Sequence, residues 1–132
     1  MIQVLNWLTG NFVNYIGYTV ITSKRKIICI LSNEASCCEE WDADYNKEKT
    51  DEMWYTNYDE EEINNVNQGG CLISLNVDDV DGDYYEGSAV ELTILDASFE
   101  HKIKLWNSHN GYYAHDYFIY DTLGEFTESG LI

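Results

Sequence analysis

Of the four Cys and three His of this chain, Cys37, Cys38, His109 and His115 make the one plausible set of soft-metal ligands, or of a thiol nucleophile with its base. Five residues separate His109 from His115, which lies within the range used at zinc sites. The adjacent cysteines do not match the usual spacing of paired zinc thiolates. A thiol at a helix N-terminus would have a lowered pKa, and an imidazole could activate it. No cysteine-hydrolase signature surrounds either cysteine, however. Asp79-Val80-Asp81-Gly82-Asp83 opens like a calcium loop, but Tyr84 stands where that loop needs glycine and Val90 where it needs glutamate. There is no phosphate-binding glycine loop, no G-x-S-x-G and no H-E-x-x-H. Acid pairs are so frequent that none can be singled out as an acid–base couple. The residue types therefore predict a binding protein rather than an enzyme, with no metal and no cofactor.

Two groups of residues are candidates for binding. The first is acidic and aromatic. From Glu34 to Glu62 there are 12 acids against Lys47 and Lys49, with Trp41, Tyr45, Trp54, Tyr55 and Tyr58 interleaved. Within this block Asp51, Glu52, Asp59, Glu60, Glu61 and Glu62 supply charge, and Trp54, Tyr55 and Tyr58 supply apolar anchors of the kind that dominate interface energetics. Asp79, Asp81 and Asp83 form a second acidic stretch. The second group lies in the polar segment Asn107 to Asp116. There Asn110-Gly111 is a strong hairpin-turn dipeptide. That turn would gather His109, Asn110, Tyr112, Tyr113 and His115, with Cys37 and Cys38 as further members, around a small polar ligand or a nucleotide. The same residues would equally make a hydrogen-bonded hairpin corner.

Charge bounds the partner. The 132 residues carry 24 Asp and Glu against 7 Lys and Arg, a formal net charge of −17. Such a surface repels nucleic acid and anionic lipid and attracts basic proteins. Acidic character also serves solubility alone. Hydrophobic residues make up 45% of the chain, with 11 Tyr and 4 Trp, so a packed core is expected despite the charge. No apolar run approaches the ~20 residues that span a bilayer. No basic, apolar leader pattern opens the chain, and a cytoplasmic setting with reduced thiols is expected.

The elements that must position these residues read as one domain over residues 1–132. Val4 to Leu8 could open a helix or a first strand. Tyr15 to Thr22 and Ile27 to Leu31 read as a hairpin around the polar turn Ser23-Lys24-Arg25-Lys26, with Cys29 in the core. Ser36 or Asn33 could cap a short helix running to Trp41. The acidic stretch after it reads as a surface helix with loops, or as an excursion packed by its aromatics. Cys71 to Val77 reads as a strand, and Asp78 to Gly87 as a turn region. Ala89 to Leu95 alternates, with Val90, Leu92 and Ile94 on one face. His101 to Trp106 alternates with Ile103 and Leu105 inward. Asn107 to Gly111 reads as a polar turn, Tyr112 to Tyr120 as a last strand, and the segment after Asp121 as a frayed tail. The fold class expected is α+β: one mainly antiparallel sheet of five or six strands with one or two short helices.

Two segments carry a resemblance. Ser32-Asn33-Glu34-Ala35-Ser36-Cys37-Cys38-Glu39 and Asn107 to Asp116, with its H-N-G-Y-Y-x-H-D run, resemble a motif pair in a family of small proteins of phages and other mobile elements. The resemblance covers about 18 residues. It implies a phage or mobile-element setting and an α+β sheet, and it carries over no catalytic residue. With the charge, it leads to the expectation of an acidic inhibitor. Such a protein would occupy the basic nucleic-acid-binding surface of a host nucleic-acid-handling or defence protein, for example a CRISPR effector, in the host cytoplasm. It would contact neither nucleic acid nor membrane.

Overall fold

Alternating strands dominate the chain. The computed structural model describes residues 2–7, 14–33, 40–79, 86–109 and 115–132. Along them run β1 (Gln3–Asn6), β2 (Tyr15–Ile21), β3 (Lys26–Ser32), β4 (Glu40–Lys49), a 3₁₀ turn (Trp54–Asn57), α1 (Glu60–Asn67), β5 (Leu72–Asp79), β6 (Glu86–Leu95), β7 (Phe99–His109), β8 (Asp116–Asp121) and β9 (Glu128–Leu131). They form two sheets, a five-stranded one in the order β1-β2-β3-β8-β9 and a four-stranded one in the order β4-β7-β6-β5. Every pairing is antiparallel.

The layers follow from period-two burial. Val20, Ile27, Cys29, Leu31, Tyr117 and Ile119 of the first sheet meet Ala43, Val90, Leu92, Ile94, Ile103 and Leu105 of the second in one core. Each sheet thus buries its apolar face on the other. The expected antiparallel arrangement holds, and a single short α-helix accompanies it among the described residues, but the strands build two sheets rather than one. The acidic stretch supplies the extra strand. Trp41, Ala43 and Tyr45 alternate with Glu40, Asp42 and Asp44, so β4 turns three packing residues inward and its carboxylates out. The segment after Asp121 is not a frayed tail: β9 pairs with β8 and Ile132 is buried. Asn107, expected in a polar turn, lies buried within β7 and donates through Nδ2 to the Ile132 carbonyl at 3.0 Å. Of the helix expected between Ser32 and Trp41, residues 34–39 lie outside the described residues, and Glu40 and Trp41 belong to β4.

One end of the sandwich is organised by side chains that satisfy turn amides. Thr22 Oγ1 accepts from the amides of Lys24 and Arg25 at 3.3 and 3.0 Å in the β2–β3 turn. Asp96 Oδ1 accepts from those of Ser98 and Phe99 at 2.8 and 2.7 Å between β6 and β7. Asp121 does the same between β8 and β9 for Leu123, Glu125 and Phe126. The helix α1 sits at this end, with Val66 buried. Its C-terminal residues Asn65, Gly69 and Gly70 line a small cleft with Lys24 and Arg25, placing cations where the helix dipole favours them. At the other end, the imidazole of His115 stacks on the Trp41 indole at 4.7 Å, and its amide donates to the Ile132 carbonyl at 2.7 Å.

Candidate functional site

The acidic edge begins on β4, which is an outer strand of its sheet. Glu40, Asp42, Asp44 and Glu48 are all exposed and all on the outward face. Alternate strand residues are ~6.8 Å apart. One duplex strand carries a phosphate every ~3.4 Å of its axis, so the row presents about half that linear charge density. Asp44 Oδ2 accepts from Trp106 Nε1 at 2.8 Å, and Glu48 Oε1 accepts from Asn46 Nδ2 at 3.0 Å. Lys104 stands opposite Asp44 in register, yet the ion pairs among the described residues engage only Asp121, Glu125 and Glu100. The acids of β4 therefore keep their charge toward solvent.

Beyond Lys49 the chain carries the acids around the end of the sandwich. Asp51 Oδ1 accepts from the Met53 amide at 2.9 Å and starts the 3₁₀ turn. Trp54 packs edge-on against Tyr55 at 6.4 Å and against Tyr58 at 5.9 Å. Trp54 and Tyr58 are half-buried, whereas Tyr55 and Met53 are 45% and 56% exposed. Asp59 is the N-cap of α1. Its side chain accepts from the Glu62 amide at 2.9 Å, and Glu62 Oε1 accepts in turn from the Asp59 amide at 3.2 Å, a complete capping box. Glu60 and Glu61 sit in the first turn, where the dipole stabilises anions.

The acids of this segment thus divide into two kinds. Asp51, Asp59 and Glu62 shape the local chain. Glu52, Glu60 and Glu61 are exposed, and among the described residues no hydrogen bond or ion pair engages their carboxylates. From residue 50 to residue 100 the sequence contains no Lys, Arg or His.

Asp79, the one described residue of the second acidic stretch, lies far from the acids at the start of α1. β5 leaves α1 and runs the length of the sheet, so that Leu72 pairs with Leu95 near the helix while Asp79 pairs with Ser88 at the far end. About seven residues at ~3.3 Å put Asp79 more than 20 Å from the helix end. Asp81 and Asp83 lie outside the described residues. Asp42, Asp44 and Glu48 fall in the acidic block expected to meet a partner, but neither they nor Glu40 were singled out as an outward row of one strand. Their signal was the alternation with Trp41, Ala43 and Tyr45.

The histidine-tyrosine group is placed only in part. His115 is buried against Trp41, and its Nδ1 lies at hydrogen-bond distance from the Ser32 carbonyl. This imidazole packs the end of the sandwich. His109 ends β7, and Cys37, Cys38, Asn110, Tyr112 and Tyr113 lie outside the described residues. Among the described residues no group of three His, Cys, Asp or Glu side chains could hold a metal ion. Burial pushes the Cys29 thiol up to about 12, and burial also raises that of the half-buried Cys71. His101, buried at the helix end, meets the Tyr45 hydroxyl at 2.7 Å through Nδ1. Burial lowers its pKa, and burial raises that of Tyr45. Both shifts favour the neutral forms of the pair, which share one hydrogen between the Tyr45 hydroxyl and Nδ1.

No helix among the described residues is long and apolar enough to cross a membrane. No protein-family model matches the chain, and neither a curated protein nor a solved structure matches it.

Proposed function

We propose that this protein binds a basic surface of a partner protein through the edge formed by β4, the 3₁₀ turn and the first turn of α1, and so competes with nucleic acid for that surface. One observation carries the reading: exposed carboxylates follow each other along an outer strand and continue through Glu52 to Glu60 and Glu61, beside an exposed Tyr55. An edge strand presents this row without a neighbour on its outer side. Carboxylates at alternate residues meet a row of Lys and Arg as phosphates would, and Tyr55 with Met53 supplies the apolar contact that charge alone lacks. The partner class is a nucleic-acid-handling protein. The resemblance of Ser32–Glu39 and Asn107–Asp116 to phage and mobile-element proteins adds a host defence protein, such as a CRISPR effector, as the target. The protein acts by occupancy, without catalysis.

The test uses the protein immobilised in host lysate, with bound proteins identified at 50 and 500 mM salt. A basic nucleic-acid-binding protein held at low salt, released at high salt and displaced by duplex DNA is the expected result. The variant Asp42→Asn/Asp44→Asn/Glu60→Gln/Glu61→Gln should slow its association about tenfold or more at low salt. Association unchanged in that variant, or a partner that duplex DNA cannot displace, would overturn the reading.

A further inference from the structure

The two outer faces of the sandwich are unlike. The outward side of the four-stranded sheet carries Glu40, Asp42, Asp44, Glu48, Glu91, Glu100, Lys102 and Lys104. The outward side of the five-stranded sheet is apolar through its middle. One row across it reads Leu5, Thr19, Ile28, Tyr120, and the next reads Gly17, Ile30, Phe118, Ser129; Thr19 and Ile30 are already buried within the chain, so the exposed apolar part is the β8 side of the face. Phe118 and Tyr120 lie with rings parallel within 6° at 6.2 Å, and remain 40% and 45% exposed. Leu5 and Leu131 at the margins are more than half exposed. Among the described strand residues of this sheet only two charged side chains point outward, Lys26 at one end of the face and Asp116 at the other. In a chain with 24 acids, a central face without charge is a face kept for burial.

The placement of that one cation and one anion selects the occupant. A twofold axis in the plane of the face and perpendicular to the strands would lay a second copy on it with strands reversed. Lys26 of each copy then faces Asp116 of the other, at both ends of a dry centre built from Phe118 and Tyr120 with the half-buried Ile28 beside them. The net charge of −17 does not forbid this packing. Stacked sheets are ~10 Å apart, so the acidic faces of the two copies stand ~30 Å from each other, several times the ~8 Å Debye length at physiological salt. Five strands at ~4.8 Å over ~20 Å give a projected footprint of about 500 Å². That area is below the ~800 Å² per partner of a standard interface and fits a weak, concentration-dependent dimer.

From these observations we infer that the protein forms a symmetric dimer through the outer face of the five-stranded sheet, centred on Phe118 and Tyr120 and closed at each end by a Lys26–Asp116 pair. The acidic edge stays exposed on both outer flanks. The dimer is therefore independent of the reading above, and its salt dependence has the opposite sign. Raising salt screens the repulsion between two acidic copies and strengthens an apolar interface, whereas it weakens capture of a basic partner.

Sedimentation velocity of the full chain from 1 to 200 μM, at 150 and 500 mM NaCl, tests the inference. The expected result is a monomer of 15.3 kDa giving way to a species of twice that mass, at lower concentration in the higher salt. Phe118→Glu points outward and leaves the core intact. It should hold the chain monomeric at 200 μM with an unchanged circular dichroism spectrum. Lys26→Asp should raise the dissociation constant about tenfold by removing two pairs and adding like charges. The swapped variant Lys26→Asp/Asp116→Lys should restore it, because the swap preserves the pairing across the axis. A monomer at every concentration and salt would overturn the inference and leave the face to a different partner. Association that survives Phe118→Glu, or that grows past two copies, would overturn it as well.

Discussion

Arg25 Nη1 lies 3.1 Å from Asp121 Oδ2, joining a hairpin tip to a strand end 96 residues away. Asp121 is 1% exposed and also accepts from three backbone amides. The guanidinium in turn reaches Glu125 at 3.0 Å and covers the Phe126 ring at 5.5 Å. One cation thereby fixes the β8–β9 turn against the β2–β3 turn. The cluster that reads as free positive charge in the sequence is partly consumed by structure.

Replacing Arg25 by Met keeps the stem packed on Phe126 and leaves the Asp121 carboxylate buried without its counter-ion. Breaking one side of a buried pair costs about 3 kcal/mol, even with the amide bonds retained. Urea unfolding of Arg25→Met should show that loss with an unchanged m-value. Asp121→Asn, which keeps an acceptor for the turn amides, should lose less. Equal losses, or none, would mean that the pair is not what holds the turn.

The Tyr45–His101 bond sets a pH dependence of stability. Burial lowers the folded-state pKa of His101 below the ordinary value of 6.5, so the unfolded chain binds the proton more readily. The contribution is therefore fully present above 6.5 and is lost as pH falls from there through the lowered folded value. Thermal melts of the protein and of His101→Gln between pH 8 and 5 should show the wild-type advantage shrinking on the acid side. Comparison with the variant removes the general gain that an acidic chain makes as its carboxylates protonate. A gap that is constant with pH would show that the imidazole does not titrate on unfolding.

Gly17 is the most constrained position in the first sheet. Its φ is +150°, and a Cβ there would stand 1.9 Å from the Cys29 carbonyl oxygen across the β2–β3 ladder. Gly17→Ala must both move the backbone and open the ladder beside Ile30. A loss of about 3 kcal/mol is expected, roughly 10 °C in Tm for a chain of this size. Gly124→Ala has a positive φ as well but meets nothing within 4 Å, so it should cost about 1 kcal/mol. A smaller effect at Gly17 than at Gly124 would contradict the packing described here.

Much of the fold was legible in local pattern. Tyr15–Ile21 and Lys26–Ser32 pair as the β-branched runs imply, and Val90, Leu92, Ile94, Ile103 and Leu105 all face the core. Both features rest on a period of two, which a strand imposes on its own side chains without help from elsewhere. The acidic block misled because charge density drew the eye from the same period in Trp41, Ala43 and Tyr45. What the acids do was not legible at all. Asp59 and Glu62 read as part of a charged run, and only the helix start at Glu60 makes them a capping box.

The sequence alone determined the composition of the surface, the absence of cations between residues 50 and 100, and the identity of most inward-facing positions. These follow from residue type and from the geometry of a single strand. Tertiary structure decided which strands share a sheet, and with it everything that depends on long-range pairing. It made β4 an outer strand, so that its carboxylates form a free row. It sent Asp79 to the far end from α1, buried His115 under Trp41, and put Phe118 and Tyr120 on an outer face whose two charges stand at opposite ends. Pairing between segments far apart in sequence is selected by the fit of whole faces, and no local stretch of sequence carries that information.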